Sequence, residues 1–412
     1  MTTSPGAGAR FRAAGAHPVT IALGLAAAMG VGRFVFTPLL PIMIGQTGMT
    51  EQTGALIATA NYIGYLLGAL ALAGRNAVRS RLFVALNAVL LIASEALMLG
   101  TTSILGWSAL RLAAGFSSAV LFIACTSRIQ AILSDPAVPA AEAARTRGLG
   151  FGGVGLGIAL TGAGTLIAGG DTGWQALWIA SAALSTALLV PLLLTPPPAA
   201  THRARPAEEV PAVLPAALRR RSWTALMCLY FAEGLGYIII GTFLVDAVAA
   251  GDPAGLGTSG AASDGALVAG SIVWLAVGLA GIVAPFLWSL CAARTGLRTA
   301  LVLTLALQTA GALIPALTPA PGWAVLAALL FGGTFVPITM LALGIGARLG
   351  VPRSAAKLTA AYGLGQVLGP LVVIPVLGGG YATAFAVAGA VLLLATGLAA
   401  LGLTPRPRAD PH

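Results

Sequence analysis

Long apolar runs alternate with short polar stretches along the chain. Twelve runs have the length of a membrane-crossing helix, at about 18–43, 53–74, 82–101, 105–127, 148–169, 174–194, 223–248, 265–290, 299–318, 323–347, 356–378 and 381–403. About 20 mostly apolar residues in a helix are needed to cross the hydrocarbon core of a bilayer. The pattern therefore predicts an all-α integral membrane protein with twelve transmembrane helices in contact with the lipid bilayer.

Composition and charge agree with this prediction. Of 412 residues, 58% are hydrophobic and 8% are charged, whereas soluble domains carry about 25% charged residues. The net charge of +10 would favour nucleic acid as a partner of a soluble protein. Here 20 of the 22 basic residues lie in or beside alternate loops, and the intervening loops carry acids but no Lys or Arg. This distribution follows the positive-inside rule and predicts cytoplasmic N- and C-termini, with no nucleic-acid partner. The three cysteines and three histidines show no metal spacing, and we expect no metal and no cofactor.

The chain divides into two similar halves. A stretch rich in Pro, Arg and Glu at 195–222 predicts a cytoplasmic linker between an N-terminal half, 1–194, and a C-terminal half, 223–412. Gly30-Val-Gly-Arg33 recurs as Gly234-Leu-Gly-Tyr237, and further short patterns recur in the same order. Two six-helix halves that both begin on the inside are parallel repeats.

Several motifs occur in an order that is typical of one transporter group. They are Met29–Pro41, Asn61–Tyr65, Arg111–Gly115, Gly152–Gly157, Gly234–Ile238 and Tyr362–Pro370. On these motifs the chain resembles the major facilitator superfamily and, more narrowly, its YbfB/YjiJ-type family of bacterial transporters. The resemblance implies the major facilitator fold, a location in the bacterial cytoplasmic membrane and alternating access for a solute.

The loops after the second and eighth runs also resemble the superfamily's gating loops. Arg75 and Arg79 in the first loop, and Arg294 and Arg298 in its copy, supply the basic residues. Both loops lack the aspartate that is usual in this motif, which puts in doubt any gating latch that depends on that acid.

Arg33 is a charge in the middle of the first apolar run. A lipid-facing arginine at that depth costs roughly 2.5–3.5 kcal/mol on insertion scales. The side chain is therefore expected to meet water, a partner or a ligand. The resemblance implies that the first and seventh spans line a central cavity, where a planar guanidinium suits a carboxylate or a phosphate. The alternative is a structural ion pair between Arg33 and Glu233 or another acid.

Three more ionisable residues lie within the spans. Glu233 is one helical turn before Tyr237, and a carboxyl group at that depth is a candidate for proton coupling. Its alternative role is that of a neutral, hydrogen-bonded acid. Glu95 and Arg111 lie at matching depths in the third and fourth runs and form a second candidate pair, either for proton coupling or as a structural ion pair.

Polar and aromatic residues in the same runs are candidates for binding the solute together with Arg33. They are Asn61, Tyr62, Tyr65, Tyr237, Tyr362 and Gln366. The first three share roughly one helical face. The alternative for each residue is a hydrogen bond to a neighbouring helix.

Together these features predict a monomeric secondary active transporter for a small organic solute, with an anion favoured because of Arg33 and with transport coupled to protons. A proton-antiport exporter of amphipathic or toxic compounds is the alternative. A membrane sensor that keeps the fold without transport is a third possibility. No nucleophile–base pair, metal cluster or nucleotide-binding motif indicates an enzyme.

Overall fold

A computed structural model describes residues 17–72, 80–133, 138–168, 172–195, 215–249, 264–318, 321–351 and 354–403. In these ranges the protein is helical with no strand, and twelve helices are long and apolar enough to cross a membrane. We number them α1 (Pro18–Leu25, Ala26–Val31 and Phe36–Thr47), α2 (Glu51–Leu72), α3 (Arg81–Ala96 with Leu97–Gly100), α4 (Ile104–Leu133), α5 (Ala140–Ala168), α6 (Trp174–Leu194), α7 (Ala216–Ala249), α8 (Asp264–Thr295), α9 (Leu297–Leu317), α10 (Pro321–Gly332 and Phe335–Arg348), α11 (Ser354–Val373 with Ile374–Gly379) and α12 (Tyr381–Gly402). The all-α prediction with twelve spans is confirmed.

Two helices begin earlier than their apolar runs. α5 starts at Ala140 and α7 at Ala216, about seven residues before the predicted boundaries. The added turns contain charged residues such as Arg145 and Arg219, which end an apolar run but are good helix formers. The start of α7 consequently lies inside the stretch that was predicted as a linker.

The helix α1 is irregular at its centre. Ala26–Val31 forms a π-helical turn in which the backbone N–H of Gly32 donates to Ala27, five residues earlier. A π turn adds one residue to a helix and is frequent at functional sites. Pro38 cannot bond the carbonyl of Phe34, and the N–H of Thr37 donates to that carbonyl instead at 3.1 Å. Arg33 therefore lies in a locally distorted part of α1, directly after the π turn.

Glycines bring several helices into backbone contact. A Cβ atom on Gly153 of α5 would lie 2.0 Å from the carbonyl oxygen of Ala22 in α1, and one on Gly365 of α11 would lie 2.3 Å from that of Phe231 in α7. Small residues at such crossings allow van der Waals packing between backbones.

The same packing joins the first six helices to the last six along α5 and α8. We call this contact the α5–α8 seam. It contains Gly152 and Gly155 on α5 and Gly278 and Gly281 on α8. A Cβ on Gly155 would lie 2.3 Å from the backbone of Gly281, so the two helices touch with no side chain between them.

Consecutive helices are joined by short connections and run in opposite directions, so alternate loops lie at the same end of the bundle. The basic residues of these loops therefore gather at one end. We call it the basic end; it includes Arg81 at the start of α3, Arg147 near the start of α5, Arg294 at the end of α8 and Arg348 at the end of α10. Asp246, near the end of α7, lies at the opposite end.

Candidate functional site

A cavity with about 490 Å³ of empty space lies between the first six and the last six helices. It extends from the middle of the bundle to Leu343 and Thr359, each five residues from the basic end of its helix. Aromatic side chains form most of its wall: Phe34, Tyr65, Phe122 and Phe151 from the first six helices, and Tyr230, Tyr237, Phe335 and Tyr362 from the last six. We call this space the aromatic cavity.

Four aromatic rings from the last six helices form a nearly parallel row along one side of the aromatic cavity. The ring centroids of Tyr230 and Tyr362 are 4.5 Å apart, and those of Tyr362 and Tyr237 are 5.2 Å apart. Phe335 continues the row at 6.1 Å from Tyr237, with an angle of 4° between the ring planes. Offset stacking of this kind stabilises the rings relative to one another. The row gives the cavity a flat, preformed wall.

Arg33 lies directly behind the opposite wall. Its side chain is 2% exposed, and its guanidinium carbon is 4.0 Å from the ring centroid of Tyr65 and 5.4 Å from that of Tyr62. None of the three guanidinium nitrogens has a hydrogen-bond partner. The rings stabilise the charge through cation–π interactions, but the N–H donors remain unused.

Glu233 is fully buried on α7 and does not bond Arg33. Its Oε1 accepts a hydrogen bond from Nε2 of Gln308 on α9 at 3.3 Å, and its Oε2 has no partner. Tyr237 and Tyr362 are electrostatic neighbours of both Arg33 and Glu233. The structural ion pair between Arg33 and Glu233 is thus not formed in this conformation, and two tyrosines of the row connect the two sites.

A second, smaller space lies beside Arg33 on the side away from the basic end. It has about 230 Å³ of empty volume between α1, α2, α4 and α7, and we call it the arginine compartment. Its polar lining consists of Arg33, Thr37, Asn61, Tyr62, Arg111 and Thr242. Asn61 donates from Nδ2 to the carbonyl of Arg111 at 3.0 Å, and Arg111 donates from Nη2 to the carbonyl of Arg33 at 3.0 Å.

The candidate pair Glu95 and Arg111 is close without a direct hydrogen bond. Both are buried, and each is an electrostatic neighbour of the other. Neither carboxylate oxygen of Glu95 makes a hydrogen bond, although Ser185 of α6 is next to it. The guanidinium of Arg111 packs over the rings of Phe36 and Trp178, at 5.8 and 5.5 Å from their centroids.

Hydrogen bonds join the first six helices to the last six at the arginine compartment. Thr37 of α1 donates from Oγ1 to the carbonyl of Gly241 in α7 at 2.8 Å, and the hydroxyls of Tyr62 and Thr242 are bonded at 2.9 Å. These two contacts close the bundle on the side away from the basic end. Further out, within the last six helices, the hydroxyl of Tyr381 donates to Oδ2 of the buried Asp246.

The other predicted site residues have different surroundings. Gln366 does not line the aromatic cavity: it donates from Nε2 to the hydroxyl of Tyr237 and so holds one ring of the row. Arg298 donates to the carbonyl of Ala400 and links α9 to α12, whereas Arg294 is exposed. Arg75 and Arg79 lie outside the described residues. Among the described residues, no group of three His, Cys, Asp or Glu side chains is placed to hold a metal ion.

Three residues at the site were not among the predicted site residues: Tyr230, Phe335 and Thr242. Tyr230 precedes Tyr237 by seven residues, which places both on one face of α7, and this spacing was the available signal. Phe335 and Thr242 carried no such signal, because each acts through a contact with a helix that is distant in sequence.

Comparison with known proteins agrees with this architecture. No curated protein sequence matches the chain. Among solved structures, the nucleoside transporter NupG matches with a TM-score of 0.64 at 14% identity, over 94% of this chain and 100% of that chain. A variant of NupG matches with a TM-score of 0.65 at 13% identity and the same coverage. At these identities the likeness shows the fold alone. The family model described as the uncharacterised MFS-type transporter YbfB matches residues 25–400, and the chain belongs to this family of membrane transporters, which are not enzymes.

Proposed function

We propose that the protein is a secondary active transporter that moves a small organic anion by alternating access and couples this movement to protons. The observation that carries the proposal is the buried guanidinium of Arg33, which lies behind the wall of the aromatic cavity with all three nitrogens unpartnered. Buried charges are normally paired, and an anionic group on the solute would provide the missing partner.

The shape of the aromatic cavity supports a solute with an apolar part beside its acidic group. Tyr230, Tyr362 and Tyr237 offer a flat surface on one side, and Tyr65 separates the other side from Arg33. A movement of the Tyr65 ring would expose the guanidinium to the cavity.

Glu233 is the residue that we assign to proton coupling. Its carboxyl group is buried, has one unpartnered oxygen and adjoins Tyr362, which lines the aromatic cavity. Gain or loss of a proton at this position would alter the hydrogen bonds to Gln308 and the field around the tyrosine row. A solute whose charge contacts Arg33 would feel this change in the field. Protonation of Glu233 and solute binding would then be coupled.

Transport by the purified protein in proteoliposomes tests the proposal. A screen of labelled organic acids under an imposed pH gradient is expected to find uptake that follows the gradient. For a solute identified in this way, Arg33→Gln should raise KM by about 10- to 100-fold, which corresponds to the loss of a charged hydrogen bond. Arg128→Gln, a buried arginine bonded to Thr195 and remote from the cavity, should leave KM unchanged. An unaltered KM in Arg33→Gln would contradict the role of Arg33.

Glu233→Gln is the test of coupling. The variant is expected to exchange solute between equal concentrations while losing its response to the pH gradient. Glu95→Gln, which removes the other buried carboxyl group of the candidate pairs, should respond like the wild type. If the responses of the two variants are reversed, Glu95 and Arg111 carry the coupling.

The second candidate function is an exporter of amphipathic or toxic compounds by proton antiport. The aromatic lining of the cavity favours it, because such walls bind apolar rings with little selectivity. In the same proteoliposomes, competition by uncharged aromatic compounds that is insensitive to Arg33→Gln would indicate the exporter.

We also propose a monomer in the bacterial cytoplasmic membrane, with both termini and the basic end in the cytoplasm and with halves at 1–194 and 223–412. The basic residues of the alternate loops support this orientation. A reporter enzyme that is active only outside the cytoplasm, fused after residue 412, should be inactive.

A further inference from the structure

The arginine compartment has an excess of positive charge and of hydrogen-bond donors. Arg33 and Arg111 contribute five unpartnered guanidinium nitrogens, three from the first residue and two from the second. Asn61 contributes one unpartnered acceptor, its Oδ1. The residues that line the compartment include no acid. Buried polar groups are normally hydrogen-bonded, so this set of donors lacks its acceptors.

Nearby acids do not supply them. Glu233 is bonded to Gln308 on α9, and its remaining oxygen has no partner. Glu95 adjoins Arg111 but makes no hydrogen bond to it. The two guanidinium groups are close enough for their charges to repel one another.

Aromatic rings offset this repulsion only in part. Arg33 is stacked on Tyr65, and Arg111 packs over Phe36 and Trp178. A ring stabilises the charge through the face of the guanidinium. The N–H bonds lie in the guanidinium plane, so the rings leave these donors without acceptors.

We propose that the arginine compartment binds a small anionic group, of the size of chloride or of a single carboxylate, between Arg33 and Arg111. The space open to the centre of a water-sized sphere is about 10 Å³, close to the roughly 10–15 Å³ that one water molecule needs, so the compartment has room for a single small group and not for a whole organic ligand. The hydrogen bonds of Thr37 and Tyr62 to the α7 side close it on the side away from the basic end. The site shares Arg33 with the proposed solute site but exists without the solute.

The anionic group has two possible sources, a free inorganic anion or the acidic group of a solute that passes Tyr65. Thermal unfolding of the purified protein in chloride, formate and gluconate at equal ionic strength, with no solute added, separates them. Gluconate is too large for the compartment and serves as the reference. Stabilisation by chloride assigns the site to a free inorganic anion, and stabilisation by formate alone assigns it to a carboxylate. We expect a saturable rise in melting temperature of roughly 2–4 °C in chloride. Equal melting temperatures in all three salts would overturn the proposal.

Two variants locate the effect. Arg33→Gln is expected to remove the salt-dependent rise, whereas Arg128→Gln, outside the compartment, keeps it. Ala58→Val fills the compartment without changing its charge and should also abolish the rise in melting temperature. The test therefore does not rest only on a variant that removes a charge. Ala69→Val, a buried position on the same helix away from the compartment, is its control.

A full rise in Ala58→Val would show that the anion binds elsewhere, and the proposal would fail. Because no transport is measured, this test can succeed or fail independently of the proposed function.

Discussion

Buried charges in this protein are surrounded by rings and hydroxyls more often than by opposite charges. Arg33 and Arg111 pack on aromatic rings, and Asp246 accepts a hydrogen bond from a tyrosine. Glu233 is bonded to an amide. In a tight ion pair, the carboxylate accepts from the N–H donors of the guanidinium and leaves none for a ligand. Rings and neutral donors leave the charges available to a ligand or a proton.

The Asp246–Tyr381 hydrogen bond gives a prediction at the residue scale. Tyr381→Phe removes the donor to the buried carboxyl group of Asp246. If that group is ionised in the folded protein, the loss should destabilise the protein by about 1.5–3 kcal/mol, the value for a hydrogen bond to a charged acceptor. In an Asp246→Asn background the same change should cost only about 1 kcal/mol, the value for a neutral hydrogen bond. Melting temperatures of the four proteins form a double-mutant cycle. Equal losses in both backgrounds would mean that Asp246 is neutral in the folded protein.

The depth of Arg33 follows from counting residues in an apolar run, but its proximity to Arg111 was not predicted. That proximity depends on the approach of α1 to α4, which lets Arg111 donate to the carbonyl of Arg33. Matching depths along the sequence favoured Glu95 as a neighbour of Arg111, and the two residues are electrostatic neighbours in the structure. Depth alone has no information on which face of each helix is turned inward, so it could not indicate the contact between the two arginines.

At the scale of the elements, glycine position decides which helices touch. In α5, a Cβ on Gly153 would lie 2.0 Å from a carbonyl oxygen of α1, whereas one on Gly164 would meet no atom within 4 Å. Both residues are in the same helix, so their intrinsic cost relative to alanine is similar, at about 1 kcal/mol.

Gly153→Ala is therefore expected to destabilise the protein by about 1–3 kcal/mol through overpacking. Gly164→Ala should be neutral or stabilising by up to about 1 kcal/mol. Thermal unfolding of the two purified variants measures the difference. A lower melting temperature for Gly164→Ala than for Gly153→Ala would contradict the packing account.

Apolar periodicity predicted the number and type of helices well, because a membrane admits few other structures. It failed at the starts of α5 and α7, where helix continues through charged turns. The apolar pattern did not indicate the irregular centre of α1. Its π turn begins with three alanines, and no residue type marks such a turn.

At the scale of the whole molecule, the structure is closed away from the basic end. Thr37 and Gly241 meet there across the two halves, and these positions are 204 residues apart, the same offset that relates Arg33 to Tyr237. Two positions that the predicted repeats make equivalent are therefore in contact with each other. Alternating access requires this contact to open.

A reversible cross-link tests that requirement. In a chain whose Cys125, Cys228 and Cys291 are replaced by alanine, the pair Thr37→Cys and Gly241→Cys should be joined by a short bifunctional methanethiosulfonate reagent, since the side chain of Thr37 contacts the carbonyl of Gly241. Transport should fall to background on cross-linking and recover on reduction, while either single variant keeps its activity in the reagent. Full activity of the cross-linked protein would show that this contact does not open during transport.

The α5–α8 seam also constrains how the sequence can change over generations. Positions 148, 152, 155, 159 and 162 of α5, spaced four, three, four and three residues apart, each approach α8 so closely that only glycine or alanine is present. Tolerance to substitution should accordingly oscillate along α5 with a period of about 3.5 residues. Saturation mutagenesis with selection for function should show this periodic tolerance, with the lowest tolerance at the five positions facing α8. Close contact between the two halves would then restrict a single helix to small residues at these five positions.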